Sequence, residues 1–158
     1  MSGCVLRVSG DRFEPESFLA NASLVPYLRF QKGGPPMSGD RIVGGPSRTS
    51  GFCCEVSPDG SSFEQQTRDA ISFLTRYRTE IEQLRRLDTV KSLVLDFGYE
   101  CRLNNESVCV QSDLLPNELL HLAGSLGLNI SLSLYPLLDR SNLGGREKVP
   151  ATEFDKAG

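Results

Sequence analysis

Two cysteines flank an Asn-Asn pair in the stretch ECRLNNESVCVQ, a spacing that could give a disulfide or half of a metal site. Asparagine tolerates the positive φ of a two-residue type I′ turn, so Asn104 and Asn105 predict a tight hairpin. In that register Cys101 faces Val108 and lies on the opposite face from Cys109, because a one-residue shift reverses every side chain. A three-residue loop would set the cysteines opposite each other but turn the valines of the second strand outward. We therefore predict no disulfide, and with a single histidine in the chain we predict no metal site.

A glycine-rich loop and the lone histidine are the other candidates for chemistry. Gly34 and Gly39 have the spacing of a phosphate-binding loop. However, Asp40 and Arg41 occupy the places of the Lys and Ser/Thr that contact phosphate and magnesium in that motif. His121 lies in a leucine-rich helical segment, and no serine or cysteine can be paired with it as a nucleophile. We interpret the first feature as a mobile loop and the second as a solvent-exposed side chain, and we predict no cofactor.

Periodic patterns define the elements that would position a site. The first strand, CVLRVSG, alternates apolar and polar side chains from Cys4 onward. Ser61 and Glu64 form the pattern of a capping box at the start of a long helix that runs to about Leu87. The apolar stripe of that helix consists of Phe63, Ala70, Leu74, Tyr77, Ile81 and Leu84. The segments GFCCEVS, KSLVLDFGYE, SVCVQ and LNISLSLYP are predicted strands, and PNELLHLAGSLG is a predicted helix that begins with proline and ends with glycine.

The order of these elements predicts the fold class. From Gly51 onward it is strand, helix, strand, strand, helix, strand, preceded by a further strand and a short helix. One-sided alternation and this order predict an α+β fold. We expect a two-layer sandwich with a mainly antiparallel sheet, helices on one face and ferredoxin-like order in the second half. We expect one domain at 1–136 with a Gly/Pro-rich loop at 31–51, followed by a peripheral C-terminal tail at 137–158.

The sheet face turned away from the helices collects polar side chains. Strand parity places on it the candidate partner-binding residues Arg7, Glu55, Asp96, Glu100, Asn129, Ser131 and Ser133, and Gly98 would leave a shallow gap among them. Carboxylates on adjacent strands could receive a basic partner or serve acid–base chemistry. The simpler interpretation is a solvated face that is acidic. Because the face is expected to be exposed, Asp96→Lys should leave the fold nearly intact.

Composition narrows the classes of partner. The chain has 158 residues and a net charge of -3. This balance argues against nucleic acid, whose phosphates bind clustered Lys and Arg, and it mildly favours a basic protein. No stretch approaches the ~20 apolar residues of a membrane span. The cysteines lack paired CxxC spacing, which is typical of reduced thiols, so we expect a cytoplasmic protein. The sequence leaves the oligomeric state open.

Three segments carry a resemblance to a known family. They are VSGDRFEPESF near the start, the helix that contains ISFL, and LPNELLHLAGSLGLNISLSLYP, and together they extend over about Cys4 to Pro136. In these segments the chain resembles an uncharacterised bacterial family, domain-of-unknown-function family 4279. Members often carry a tryptophan after the Gly-rich segment, where this chain has Phe52. The resemblance implies no catalytic residues. Some small acidic α+β families act as immunity proteins that block a bacterial toxin, and the resemblance permits that function.

These observations favour a non-enzymatic protein-binding domain, with an immunity-type inhibitor of a bacterial toxin as the specific hypothesis. The alternative is a small hydrolase or ligand-binding domain that uses Glu55, Asp96 and Glu100 on the open sheet face. The sequence shows no recognisable set of catalytic residues, so it leaves open whether the protein has catalytic activity. A deep pocket lined by those carboxylates would favour the alternative, whereas a flat face would contradict it.

Overall fold

A computed structural model describes residues 3–103, 107 and 109–136 and confirms the predicted α+β fold, with helices against one face of a mixed sheet. The strands are β1 (Cys4–Gly10), β2 (Leu28–Phe30), β3 (Met37–Ser38), β4 (Arg41–Ile42), β5 (Ser50–Ser57), β6 (Ser92–Glu100) and β7 (Asn129–Tyr135). The helices are α1 (Pro15–Leu19), α2 (Phe63–Arg76), α3 (Arg78–Arg86) and α4 (Asn117–Ser125).

The sheet is built around the first strand. Its order is β4-β3-β2-β5-β1-β6-β7, and every neighbouring pair is antiparallel except β6 and β7, which are parallel. β5 and β6 therefore run in the same direction with β1 between them, and α2 and α3 connect them across the helical layer. α4 makes the second crossover, from β6 to β7. A parallel pair needs such a crossover because a tight turn can join only antiparallel strands.

The core lies between the sheet and the helices, as the alternation predicts. Cys4, Leu6 and Val8 of β1 are fully buried, and so are Leu95 and Phe97 of β6. The stripe on α2 and α3 packs against them: Phe63, Ala70, Leu74, Ile81 and Leu84 are buried, and Tyr77 is partly buried. Removal of such apolar surface from water is the main stabilising contribution to the fold.

The long predicted helix differs from the structure in two details. Its N-cap is Ser62, whose side chain accepts a hydrogen bond from the backbone N–H of Gln65 at 3.2 Å, so the predicted cap at Ser61 is one residue early. The helix also leaves α-geometry at Tyr77 (φ −103°, ψ 21°), which divides it into α2 and α3. The N–H of Ile81 still donates to the carbonyl of Tyr77 at 3.0 Å, so the apolar stripe continues through this bend.

The Gly/Pro-rich segment 31–51 contains structure that composition did not predict. β3 and β4 form a hairpin in which Met37 pairs with Ile42 and Ser38 pairs with Arg41. Gly39 begins the two-residue turn with φ +58°, a left-handed conformation that glycine adopts without steric cost. Gly39, which has the spacing of a phosphate-binding loop, is therefore part of a tight hairpin turn.

The turn of the predicted hairpin, at Asn104 and Asn105, lies outside the described residues, and so does Val108. Ser107 and the described residues 109–111 are not in a strand, so the predicted strand SVCVQ is wrong for them. Instead, the N–H of Cys101 donates to the carbonyl of Tyr135 at 2.7 Å, which extends the pairing of β6 with β7. Cys101 is half-buried, Cys109 is exposed, and both are free thiols.

Candidate binding site on the open sheet face

Strand pairing brings the predicted polar residues to one face of the sheet. Val5 of β1 lies opposite Glu55 on β5 and opposite Asp96 on β6. Asp96 in turn pairs with Ser131 on β7, and Gly98 pairs with Ser133. Arg7, two residues after Val5, has the same side-chain orientation because orientation repeats every two residues along a strand. This open face is opposite to the one that packs against the helices.

Asp96 is the most buried charged group of the open face. Its exposed fraction is 5 %, and it accepts hydrogen bonds on both carboxylate oxygens. The guanidinium of Arg7 donates to Oδ2 in an ion pair, and the hydroxyl of Ser133 donates to Oδ1 at 2.7 Å. The expectation that Asp96 is an exposed carboxylate is therefore wrong. The flanking strands and the Arg7 side chain cover it.

Glu55 and Glu100 are the carboxylates that stay open to solvent. Both are exposed, and neither makes an ion pair with any described residue. The prediction placed Glu55 and Asp96 on adjacent strands, but β1 separates those strands. Because Arg7 neutralises Asp96, the remaining negative charge of the predicted set is concentrated on the two glutamates.

A depression of about 280 Å³ lies in the open face. Its walls come from β1, β5 and β6, from the end of β7 and from the residue that precedes β2. The residues that line it are Gly3, Val5, Arg7, Tyr27, Glu55, Ser57, Asp59, Asp96, Gly98 and Tyr135. Of the seven predicted residues, Arg7, Glu55 and Asp96 line the depression. Glu100, Asn129, Ser131 and Ser133 lie on the same face beside it, and Gly98 forms part of its floor as predicted.

Two tyrosines of the depression were not among the predicted residues. Tyr27 is anchored by its backbone N–H, which donates to the carbonyl of Cys53 at 3.0 Å. Burial raises the pKa of the Tyr27 and Cys53 side chains. Tyr27 reaches the face only because β2 pairs with β5, which no local pattern indicates. Tyr135 continues the alternation that contains Ser131 and Ser133, so parity could have identified it.

The candidates for other chemistry lie elsewhere. His121 is on α4 and is exposed, as predicted. Within residues 3–103, 107 and 109–136, no group of three or more His, Cys, Asp or Glu side chains could hold a metal ion. Cys53 faces the open side opposite Arg7, but burial raises the pKa of its thiol, which disfavours the nucleophilic thiolate. The depression therefore combines two carboxylates that are exposed to solvent with two phenols.

Comparisons with known proteins leave the site to be interpreted from its own geometry. No protein-family model, no curated protein and no solved structure matches the chain. In the part of the chain that the structure describes, the helices are too short or too polar to cross a membrane.

Proposed function

We propose that this protein is a non-enzymatic binding domain whose open sheet face receives a positively charged partner protein. The observation that carries the proposal is Glu55, an exposed carboxylate without an ion pair among the described residues, at the edge of a depression that also holds Tyr27 and Tyr135. The specific form that we propose is an immunity-type inhibitor of a bacterial toxin, acting in the cytoplasm.

Charge supports a cationic partner. The ion pair between Arg7 and Asp96 cancels locally, which leaves Glu55 and Glu100 as open negative charges on the face. A basic surface that approaches this face would be attracted to it, and such complementarity mainly accelerates the encounter and excludes wrong partners. Tyrosine adds a second attraction, because a cation over an aromatic ring contributes about 0.5–2 kcal/mol depending on how far it is desolvated.

The size of the depression supports a protein partner over a free ligand. Pockets that enclose drug-sized molecules typically measure roughly 300–1,000 Å³. The depression of about 280 Å³ lies at the lower limit of that range. A Lys or Arg side chain that projects from a larger surface would fill it, and the rest of the partner would cover the surrounding face. Tyrosine and arginine are also enriched among the residues that dominate binding energy at protein interfaces.

A titration with an oligo-arginine peptide tests the charge requirement. We expect backbone amide NMR shifts on β1 and β5 around Val5 and Glu55, and we expect them to weaken as salt increases because exposed charges are screened. Glu55→Gln should weaken binding, whereas the matched variant Glu118→Gln, at an exposed position on α4, should not. Shifts that map to the helical face, or equal binding by both variants, would refute the proposal.

The toxin hypothesis needs a separate test. If a toxin-like protein is encoded next to this gene, co-expression should restore growth of cells that produce the toxin, and Glu55→Lys should abolish the rescue. A gene neighbourhood without such a protein, together with no rescue, would contradict the immunity role. The peptide titration would still decide whether the face binds basic partners.

The second candidate is a small ligand-binding domain or hydrolase, favoured by the single fact that Glu55 and Asp96 line the same depression. Against it, Asp96 is engaged by Arg7 and Ser133, and Glu100 does not line the depression. Hydrolysis of nitrophenyl esters or glycosides that Glu55→Gln abolishes without loss of stability would favour this candidate over the first.

A further inference from the structure

We propose that β7 pairs with β7 of a second copy of this chain, in antiparallel orientation, so that the two sheets join into one across a two-fold axis at Leu132. This inference does not depend on the proposed function. β7 is the outermost strand of the sheet, and its seven residues pair on one side only, with β6. A long unpaired edge exposes backbone N–H and C=O groups to any other strand.

The hydrogen-bonding phase of β7 determines which residues can pair outward. The carbonyl of Tyr135 accepts from Cys101, on the β6 side, so it points into the sheet. Within a strand the N–H and C=O groups alternate in direction, so those of Ser131 and Ser133 also point toward β6. The backbone groups of Ile130, Leu132 and Leu134 then point outward, and none of them bonds to a described residue.

The side chains of β7 match themselves in this arrangement. In the central part of the strand, ISLSL, apolar and polar residues follow each other in the same order from either direction. An antiparallel pair centred on Leu132 sets Leu132 against its own copy and Ile130 against Leu134 of the partner. These are the residues with outward backbone groups, so each pair exchanges both of its N–H···O bonds. Hydrogen bonding and side-chain chemistry therefore select the same register.

The exposed leucines of β7 also support this pairing, and they lie on the side of the sheet that carries the helices. Leu132 is 48 % exposed and Leu134 is 56 % exposed, although their neighbours on β6 are Phe97, in the core, and Tyr99, which packs against the core. In the proposed register the leucines of the two copies become neighbours across the joined sheet. Cross-strand apolar pairs of this kind each contribute roughly 0.2–1 kcal/mol. The pairing therefore covers apolar surface that the single chain leaves open.

Charge favours a second copy over an unrelated strand. All residues of β7 are neutral, so two copies bring no like charges together. Natural edge strands are usually protected by Lys, Pro or very short length. The opposite edge follows this rule, since β4 has two residues and one is Arg41, whereas β7 has none of these protections within the strand. The match of β7 to itself is a property that a foreign strand would reproduce only by chance.

Sedimentation of the full chain over a range of concentrations tests the proposal. We expect the wild type to reach twice the mass of one chain and Leu132→Lys to stay monomeric, because the substitution places two ammonium groups together at the axis. Ile42→Lys is the matched control: Ile42 is 62 % exposed on β4, at the opposite edge of the sheet, and this variant should still dimerise. A wild type that is monomeric at every concentration, or a dimer that Leu132→Lys does not dissociate, would overturn the proposal.

Hydrogen exchange provides a test that needs no variant. The amides of Ser131 and Ser133 bond to β6 and should be protected at all concentrations. The amides of Ile130, Leu132 and Leu134 should gain protection as the protein concentration rises through the dimerisation range. If they exchange quickly in a dimer, the second copy binds through another surface and the inference is wrong. Protection of the same amides in a monomer would overturn it as well, since another segment would then occupy the edge.

Discussion

Asp96→Lys is the most informative single change, because the sequence and the structure predict opposite results for it. Parity alone places Asp96 on a polar face and predicts almost no loss of stability. The structure shows an exposed fraction of 5 % and hydrogen bonds from Arg7 and Ser133 to both carboxylate oxygens. Lysine would remove both interactions and place an ammonium group against the guanidinium of Arg7.

The loss of stability expected for Asp96→Lys can be estimated from the burial of the ion pair. Breaking a buried ion pair by removing one partner costs about 3–5 kcal/mol. The Arg7 side chain is 55 % exposed and can turn toward water, so we expect a loss near the lower limit. For a domain of this size each kcal/mol corresponds to about 2–4 °C in melting temperature. Asp96→Lys should therefore lower the melting temperature by about 6–12 °C.

Glu55→Lys is the matched control, because Glu55 and Asp96 both lie opposite Val5. Glu55 is exposed, so its reversal should change stability by less than ~0.5 kcal/mol while weakening binding of a basic partner. Thermal unfolding followed by circular dichroism compares the two variants directly. If Asp96→Lys melts within the error of the wild type, the ion pair contributes nothing and our account of the site is wrong. Leu95→Asp, at a fully buried position, should prevent folding, and a folded Leu95→Asp would mean that the two faces are reversed.

Three further predictions concern burial, close packing and capping. Burial raises the pKa of the Cys54 thiol from 9.0 to about 12, so this thiol loses its proton at lower pH in the unfolded chain than in the folded one. The contribution of Cys54 to stability is therefore full below pH 9 and falls as the pH rises toward 12. Urea unfolding measured across this range should show a less steep loss of stability in Cys54→Ala. Gly51→Ala would place a Cβ 2.0 Å from a carbonyl oxygen of β1 and should lower the stability of the fold by about 1–3 kcal/mol. The control is Gly45→Ala, whose Cβ would meet no atom within 4 Å, and equal melting temperatures for the two variants would contradict the packing of β5 on β1. Ser62→Ala should cost about 1 kcal/mol and Ser61→Ala much less, and the reverse order in chemical unfolding would place the cap one residue earlier.

Local periodicity was sufficient for much of the fold. The alternation of β1, the stripe on α2 and α3 and the Pro-to-Gly helix before β7 were all predicted, because side-chain direction along a strand or helix follows from backbone geometry alone. For the same reason, parity placed Arg7, Glu55 and Asp96 on one face before any strand pairing was known. Tyr135 could have been added by extending the same count.

Strand order, by contrast, depends on contacts between distant segments. Nothing local to β1 indicates that it pairs with both β5 and β6, and that position places Arg7 beside Asp96, 89 residues away in the sequence. The pairing of β2 with β5 brings Tyr27 to the depression in the same way. Gln66 is a further example: a polar residue on α2 is fully buried, and its amide donates to the carbonyl of Gly98 at 2.8 Å.

The sequence by itself therefore determined which side chains share a face, what charge they carry and where β1, β5, β6, β7 and α4 begin and end to within a few residues. Only the tertiary structure decided which carboxylate is buried, which stays open and which strand is left at the edge. The physical reason is that orientation is a property of each segment, whereas burial and pairing depend on what the remainder of the chain places beside it. Glu55 and Asp96 have the same chemistry and the same orientation, and they differ only in the neighbours that the fold gives them.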